Sequence, residues 1–166
     1  MLLRPKPATA SGPNVYEDLR TQALQFRPEG LGASSPDDPV SAYGLLMDIG
    51  VGSNTATVTS FSSGDASLYT STGGGVLGGI GHETVRTAAR AWVSAAQQRL
   101  DLFAPTTTFP HPAGDHVRFF VLTNRGVLTA EASRASFEAK PHAPLLPVWA
   151  AGQDVLTAIR LSTPGS

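Results

Sequence analysis

A chain of 166 residues with 41% hydrophobic side chains has the size and apolar content of one domain with one core, which excludes a disordered chain. The net charge of −1 supplies no broad field for nucleic acid or an anionic membrane, so neither is expected as a partner. The absence of cysteine excludes disulfides, thiolate zinc sites, iron–sulfur clusters and cysteine nucleophiles.

Residues 1–13 carry three prolines and no apolar period and read as an N-terminal arm. Only two apolar residues follow Met1 before charge and proline intervene, too few for a secretory signal, so a cytoplasmic location is expected. One α+β domain is expected over residues 14–162. It opens at Asn14, whose spacing to Glu17 suits a helix N-cap with a reciprocal glutamate. Val15, Leu19, Ala23 and Phe26 then recur at helical spacing until Pro28. Residues 28–41 are rich in proline, glycine and aspartate and read as a loop.

From Tyr43 to Val51 the chain is apolar on both alternating faces, as in a central strand covered on both sides. A turn at Gly52-Ser53-Asn54, a β-branched run from Thr55 to Phe61, a turn at Ser63-Gly64-Asp65 and a run from Ala66 to Thr70 complete a three-stranded meander. Next comes the strongest helical pattern: Val85, Ala89, Trp92, Ala96, Leu100 and Phe103 step by 4, 3, 4, 4 and 3, with Arg86, Arg90, Gln97 and Asp101 opposite. Residues 104–115 read as a loop. Val117–Thr123 and Val127–Glu131 flank Asn124-Arg125-Gly126 and predict a hairpin. Ser133 to Glu138 suit a short helix, and Leu145 to Leu161 a C-terminal one. Trp92 and Trp149 fall on the apolar stripes and are expected in the core. The fold predicted is therefore α+β, an antiparallel or mixed sheet of about five strands with helices packed on it.

Three segments carry candidate chemistry. Six glycines stand in the nine residues from Gly73 to Gly81, and Gly73, Gly75 and Gly78 match G-x-G-x-x-G before a helix. Free N–H groups there suit an anion, while the same glycines also suit close backbone packing. The preceding strands look antiparallel, and no acidic strand end follows about 20 residues on, which argues against a dinucleotide fold. His82 and Glu83 open the helix, where the charge of Glu83 favours the dipole. In the third segment, His111, Asp115 and His116 share one loop but supply too few ligands for a tight metal site, so none is expected. Should a ligand site exist, its candidate residues are Asp48, Asn54, Thr55, Gly73, Gly75, Gly78, His82 and Glu83, with no cofactor expected.

Asp48-Ile49-Gly50-Val51-Gly52-Ser53-Asn54-Thr55, ending an apolar strand, resembles the first phosphate loop of the actin-like ATPase and sugar-kinase superfamily. That resemblance implies metal and nucleotide phosphates at Asp48, Gly50, Gly52, Asn54 and Thr55. The second phosphate loop and second lobe of that superfamily are absent from these 166 residues. The predicted element order is also similar to roadblock and profilin-like adaptor domains, which pair through a helix or a sheet edge. Low charge and Trp149-Ala150-Ala151-Gly152 on a terminal helix favour the same outcome, a protein-binding module that forms a two-fold dimer. The alternative is a small-ligand or phosphate-binding protein, or an enzyme, built on the Asp48 turn and the glycine segment.

Overall fold

The computed structural model describes residues 13–31, 35, 37–76, 82–139 and 142–162. The chain runs α1 (Pro13–Gln25), β1 (Ala42–Val51), β2 (Asn54–Phe61), β3 (Ala66–Thr70), β4 (Gly75–Val76) and α2 (Glu83–Gln97). It continues through β5 (Ala104–Thr106), β6 (His116–Thr123), β7 (Gly126–Ser133), α3 (Arg134–Ala139) and α4 (Leu146–Ser162). The strands form one sheet in the order β4-β3-β2-β1-β6-β7-β5, and every pairing is antiparallel. The α+β class, the meander and the hairpin are therefore as the residue pattern predicts.

Two strands were not expected. β4 has two residues and lies inside the glycine segment; β5 has three and lies inside the predicted 104–115 loop. Runs this short carry no periodic signal, and both exist only as edge partners of longer strands. Pro105 is tolerated in β5 because an edge strand can do without one ladder donor. The long apolar stripe also breaks. α2 ends at Gln97, and Leu100 and Phe103 reach the core through a 3-10 turn at Leu100–Leu102. There the Leu102 and Phe103 N–H groups donate to the Arg99 and Leu100 carbonyls, tightening the chain by one residue per bond.

β1 is central and is buried over eight consecutive residues, from Tyr43 to Gly50. On one face Leu45, Met47 and Ile49, with Val117, Phe119 and Val121 of β6, pack under α2 and α4. Val85, Ala89 and Trp92 of α2 meet Val155 and Ile159 of α4 there, and Trp92 Nε1 donates to the Val148 carbonyl at 2.8 Å. Trp149 stacks on Phe137 with ring centroids 4.9 Å apart. Gly152, which the sequence places on an outward terminal face, is buried instead. A Cβ on it would come within 2.9 Å of Met47 and 3.0 Å of Trp92. Part of the apolar run read as a docking face is thus spent inside the core.

The opposite face of the sheet has the smaller apolar cluster and is covered by α1 together with Leu31 and with Phe109 of the β5–β6 loop. Tyr43, Leu46, Phe120, Leu122 and Leu24 form its apolar part. α1 begins at Pro13, where proline's missing N–H removes a donor that would be unpaired anyway, so Asn14 lies within the helix rather than before it. Its buried stripe is Tyr16, Arg20 and Leu24, not Val15, Leu19 and Phe26; Phe26 remains 46% exposed. Among the described residues no helix is long and apolar enough to cross a membrane.

The close approach at Gly152 sets one expectation. Gly→Ala in a helix interior ordinarily stabilises by about 1 kcal/mol, but Gly152→Val forces Met47 and Trp92 apart. It should destabilise by about 1–3 kcal/mol, read as a lower thermal midpoint in calorimetry.

Candidate functional site

The greatest concentration of buried polar groups lies between α1 and the sheet. Asp48, in the middle of β1, is fully buried, and Arg20 of α1 is 4% exposed. Arg20 Nε and Nη2 donate to Asp48 Oδ2 at 2.9 and 2.7 Å, and Thr57 Oγ1 donates to Oδ1 at 2.6 Å. An ionised carboxylate only accepts, so the single proton of Thr57 is committed to Asp48. The Tyr16 hydroxyl, 2.6 Å from Thr57 Oγ1, must therefore be the donor in that bond. A directed chain results: Tyr16 to Thr57 to Asp48, with the positive charge of Arg20 closing it. The Arg20 guanidinium also lies 5.5 Å from the centroid of the Phe120 ring.

Strand register extends this cluster into a row. Tyr69, Thr57, Asp48, Arg118 and Glu131 stand opposite one another in turn across β3, β2, β1, β6 and β7. Tyr69 donates to the Leu19 carbonyl of α1 at 3.3 Å. Burial raises the pKa of Tyr16 and of Tyr69 above the usual tyrosine value, and the negative charge of Asp48 raises both further. At the far end Arg118 bonds Glu131, as does His116 through Nδ1 at 2.7 Å.

The loop between β5 and β6 seals the cluster. The Pro110 carbonyl accepts from Arg20 Nη2 at 3.4 Å, His111 Nε2 lies 2.7 Å from Glu17, and the His111 ring stacks on Tyr16. Gly50 lets this loop close: a Cβ there would come within 2.6 Å of the Ala113 carbonyl oxygen. His111 and His116 thus serve separate carboxylates, on α1 and on β7. Among the described residues no group of three or more histidine or acidic side chains is arranged to hold a metal ion.

The candidate ligand residues are divided by the sheet. Asp48 faces α1 and is neutralised by Arg20, while His82 and Glu83 open α2 on the opposite face. Asn54 and Thr55 do meet the turn after β3: Ser71 Oγ accepts from the Thr55 N–H at 2.9 Å and donates to Asn54 Oδ1 at 3.4 Å. Gly73 closes that turn through its N–H to the Thr70 carbonyl at 3.1 Å. Gly75 lies against Leu68, whose carbonyl a Cβ would strike, so packing accounts for it. Gly78 lies outside the described residues. Glu83 pairs with Arg86, and that hydrogen bond and charge hold its pKa below the usual carboxylate value.

His82 and Glu83 do border an open groove on the described surface. A shallow groove runs between α2 and α4, which are antiparallel neighbours, and opens into volumes of about 400 and 470 Å³. Its walls are Thr84, Thr87, Ala88 and Ala91 on one side and Ala151, Asp154 and Ala158 on the other, with Leu161 at one end. Sequence reading missed both features. Arg20 stands four residues from Tyr16 and from Leu24, and that spacing could have flagged a shared face had charge not been read as solvent-facing. The alanines of the groove are too small to register beside the larger stripe of α2. No protein-family model, curated protein or solved structure matches this chain.

Removing one partner of the buried pair leaves an uncompensated charge. Arg20→Met should therefore cost about 3–5 kcal/mol in denaturant unfolding, and Arg20→Met with Asp48→Leu less than the single change. The tyrosines give a pH expectation with a definite sign. Because their folded pKa values are raised, the folded state keeps protons that the unfolded chain releases. Their contribution is full below about pH 10 and falls as the pH rises beyond it. Alkaline unfolding should begin there, and tyrosinate absorbance should appear together with loss of helix signal rather than before it.

Proposed function

We propose that this chain is a non-catalytic, cytoplasmic domain that associates with a protein partner, namely a second copy of itself, through the outer face of α2 and α4. The observation that carries the reading is the groove. No side chain between Thr84 and Ala91 on its α2 wall is larger than threonine, so a partner helix can approach to about 8–10 Å. Its lining is mostly alanine and threonine, with charge confined to Glu83 and Asp154. Leu161, 83% exposed, adds an apolar anchor at one end.

The alternative route to pairing, by sheet edge, has less support. The edge strands β4 and β5 have two and three residues, and β5 contains Pro105. Short edges and proline are the usual defences against strand addition. Catalysis has less support for a different reason: Asp48, the residue with most chemical promise in the sequence, is engaged in holding α1.

Helices of 15 and 17 residues are about 22 and 25 Å long, and two side by side are about 20 Å wide. The face they present is therefore roughly 500 Å² per partner, at the low end for a specific interface. A weak, reversible dimer is the expected outcome. Sedimentation equilibrium at tens of micromolar should give a dimer, and Ala91→Glu, at an exposed groove position, should give a monomer with unchanged thermal stability. A wild-type chain that stays monomeric at those concentrations overturns the proposal.

A further inference from the structure

We infer that the dimer has one arrangement, set by Asp154: α2 of each copy lies antiparallel on α4 of the other, and Asp154 accepts a hydrogen bond from the partner's Thr84. This inference rests on the self-association reading above. Its first support is where Asp154 stands. The two volumes of the groove share Thr84 and Ala88 on the α2 wall and Asp154 on the α4 wall, so these three mark its middle. Ala91 and Ala151 line one end, and His82 and Leu161 the other. Thr84 and Asp154 are exposed, and neither has a hydrogen bond or ion pair among the described residues. The second acid of the groove, Glu83, is already paired with Arg86.

The second support is symmetry. Two copies joined face to face by a two-fold axis have that axis in the plane of contact. With the helices aligned, it runs either across the groove or along it. An axis across the groove sets α4 on the partner's α4 and brings each residue of the middle onto its own counterpart. The two Asp154 carboxylates then oppose each other, and the lining supplies no arginine or lysine to separate them. Like charges placed together in this way weigh against a contact. An axis along the groove preserves position along it. Each residue then meets what stands beside it in its own chain, so Asp154 meets the partner's Thr84 and Ala88.

The third support is that this arrangement joins a donor to an acceptor twice. In a two-fold contact Asp154 meets the partner's Thr84, and Thr84 meets the partner's Asp154. The Thr84 hydroxyl donates to the carboxylate, a charge-assisted bond in a lining that is otherwise mostly alanine and threonine. Ala88 leaves room for the partner's α4 to come within the ~8–10 Å of closely packed helices. The face is thus complementary to a second copy of itself in one arrangement and repels it in the other. Asp154 supplies both the attraction and the repulsion that a single arrangement needs.

The absence of cysteine lets single introduced thiols report which residues face each other. Ala91→Cys and Ala151→Cys, purified separately, mixed and mildly oxidised, should form the mixed disulfide in preference to either homodisulfide. Ala88→Cys alone should not pair with itself. Sedimentation equilibrium gives the second readout. Asp154→Asn and Thr84→Val should each raise the dimer dissociation constant about tenfold or more, because each weakens two symmetry-related bonds to a charged group. The two changes together should weaken the dimer little more than either alone, with the thermal midpoint of the monomer unchanged. Failure of the mixed disulfide, a ready Ala88→Cys homodisulfide, or an unchanged or lower dissociation constant for Asp154→Asn overturns this arrangement and leaves self-association in place. A wild-type chain that is monomeric overturns self-association, and the arrangement with it.

Discussion

A carboxylate in the middle of the central strand governs this fold. β1 is covered on both faces, so every polar group on it must find its partner inside the protein. Asp48 finds Thr57 within the sheet and Arg20 on a helix 28 residues upstream. Neutralising that charge fixes where α1 lies, which of its faces turns inward and how the 107–115 loop closes over it. The ion pair therefore specifies an arrangement more than it adds stability, since burying both charges costs much of what their attraction returns.

The two sides of the sheet solve the burial problem by different means. Toward α2 and α4 the contact is apolar and close. Trp92 fills the centre, and Gly152 allows α4 to approach Met47 and Trp92. Toward α1 the contact is made by long polar side chains, in which Tyr16, Thr57, Asp48 and Arg20 form one hydrogen-bonded set. The first arrangement is uniform and insensitive to any single bond. In the second, one guanidinium holds a helix, and the bonds around it form a connected set in which each proton has an assigned direction.

Much of the fold was legible because it rests on periodicity. The meander, the hairpin and the helices α2 and α4 all announce themselves through apolar spacing, although α2 stops at Gln97, short of the Leu100 and Phe103 that continue its stripe. β4 and β5 are too short to carry a period, and they form only because β3 and β7 have an edge to offer. The face of α1 differs from its pattern because apolar spacing points Val15 and Leu19 inward and leaves a charged residue outside. Val15 and Leu19 follow that rule in the pattern, yet Tyr16, Arg20 and Leu24 are the residues that turn to the sheet. The sign of the choice depends on Asp48, which is remote in sequence.

The candidate site shows the same division. Residue types and local turns, such as the phosphate-loop-like run from Asp48 to Thr55, can be read along the chain. Which face of the sheet each residue occupies cannot, because it depends on strand register and on what packs above. Asp48 and the pair His82–Glu83 look like neighbours of one glycine segment in the sequence and lie on opposite faces of the sheet in the fold. Local hydrophobic period is enough for the class of fold, the order of its long elements and the apolar stripe of α2, because each of these rests on neighbours in the chain. That Asp48 is held inside the fold, that Arg20 is its counter-ion and that the α2–α4 face is left open follow instead from strand register and helix packing. Those outcomes depend on pairings between residues far apart in the chain, and local patterning carries no information about them.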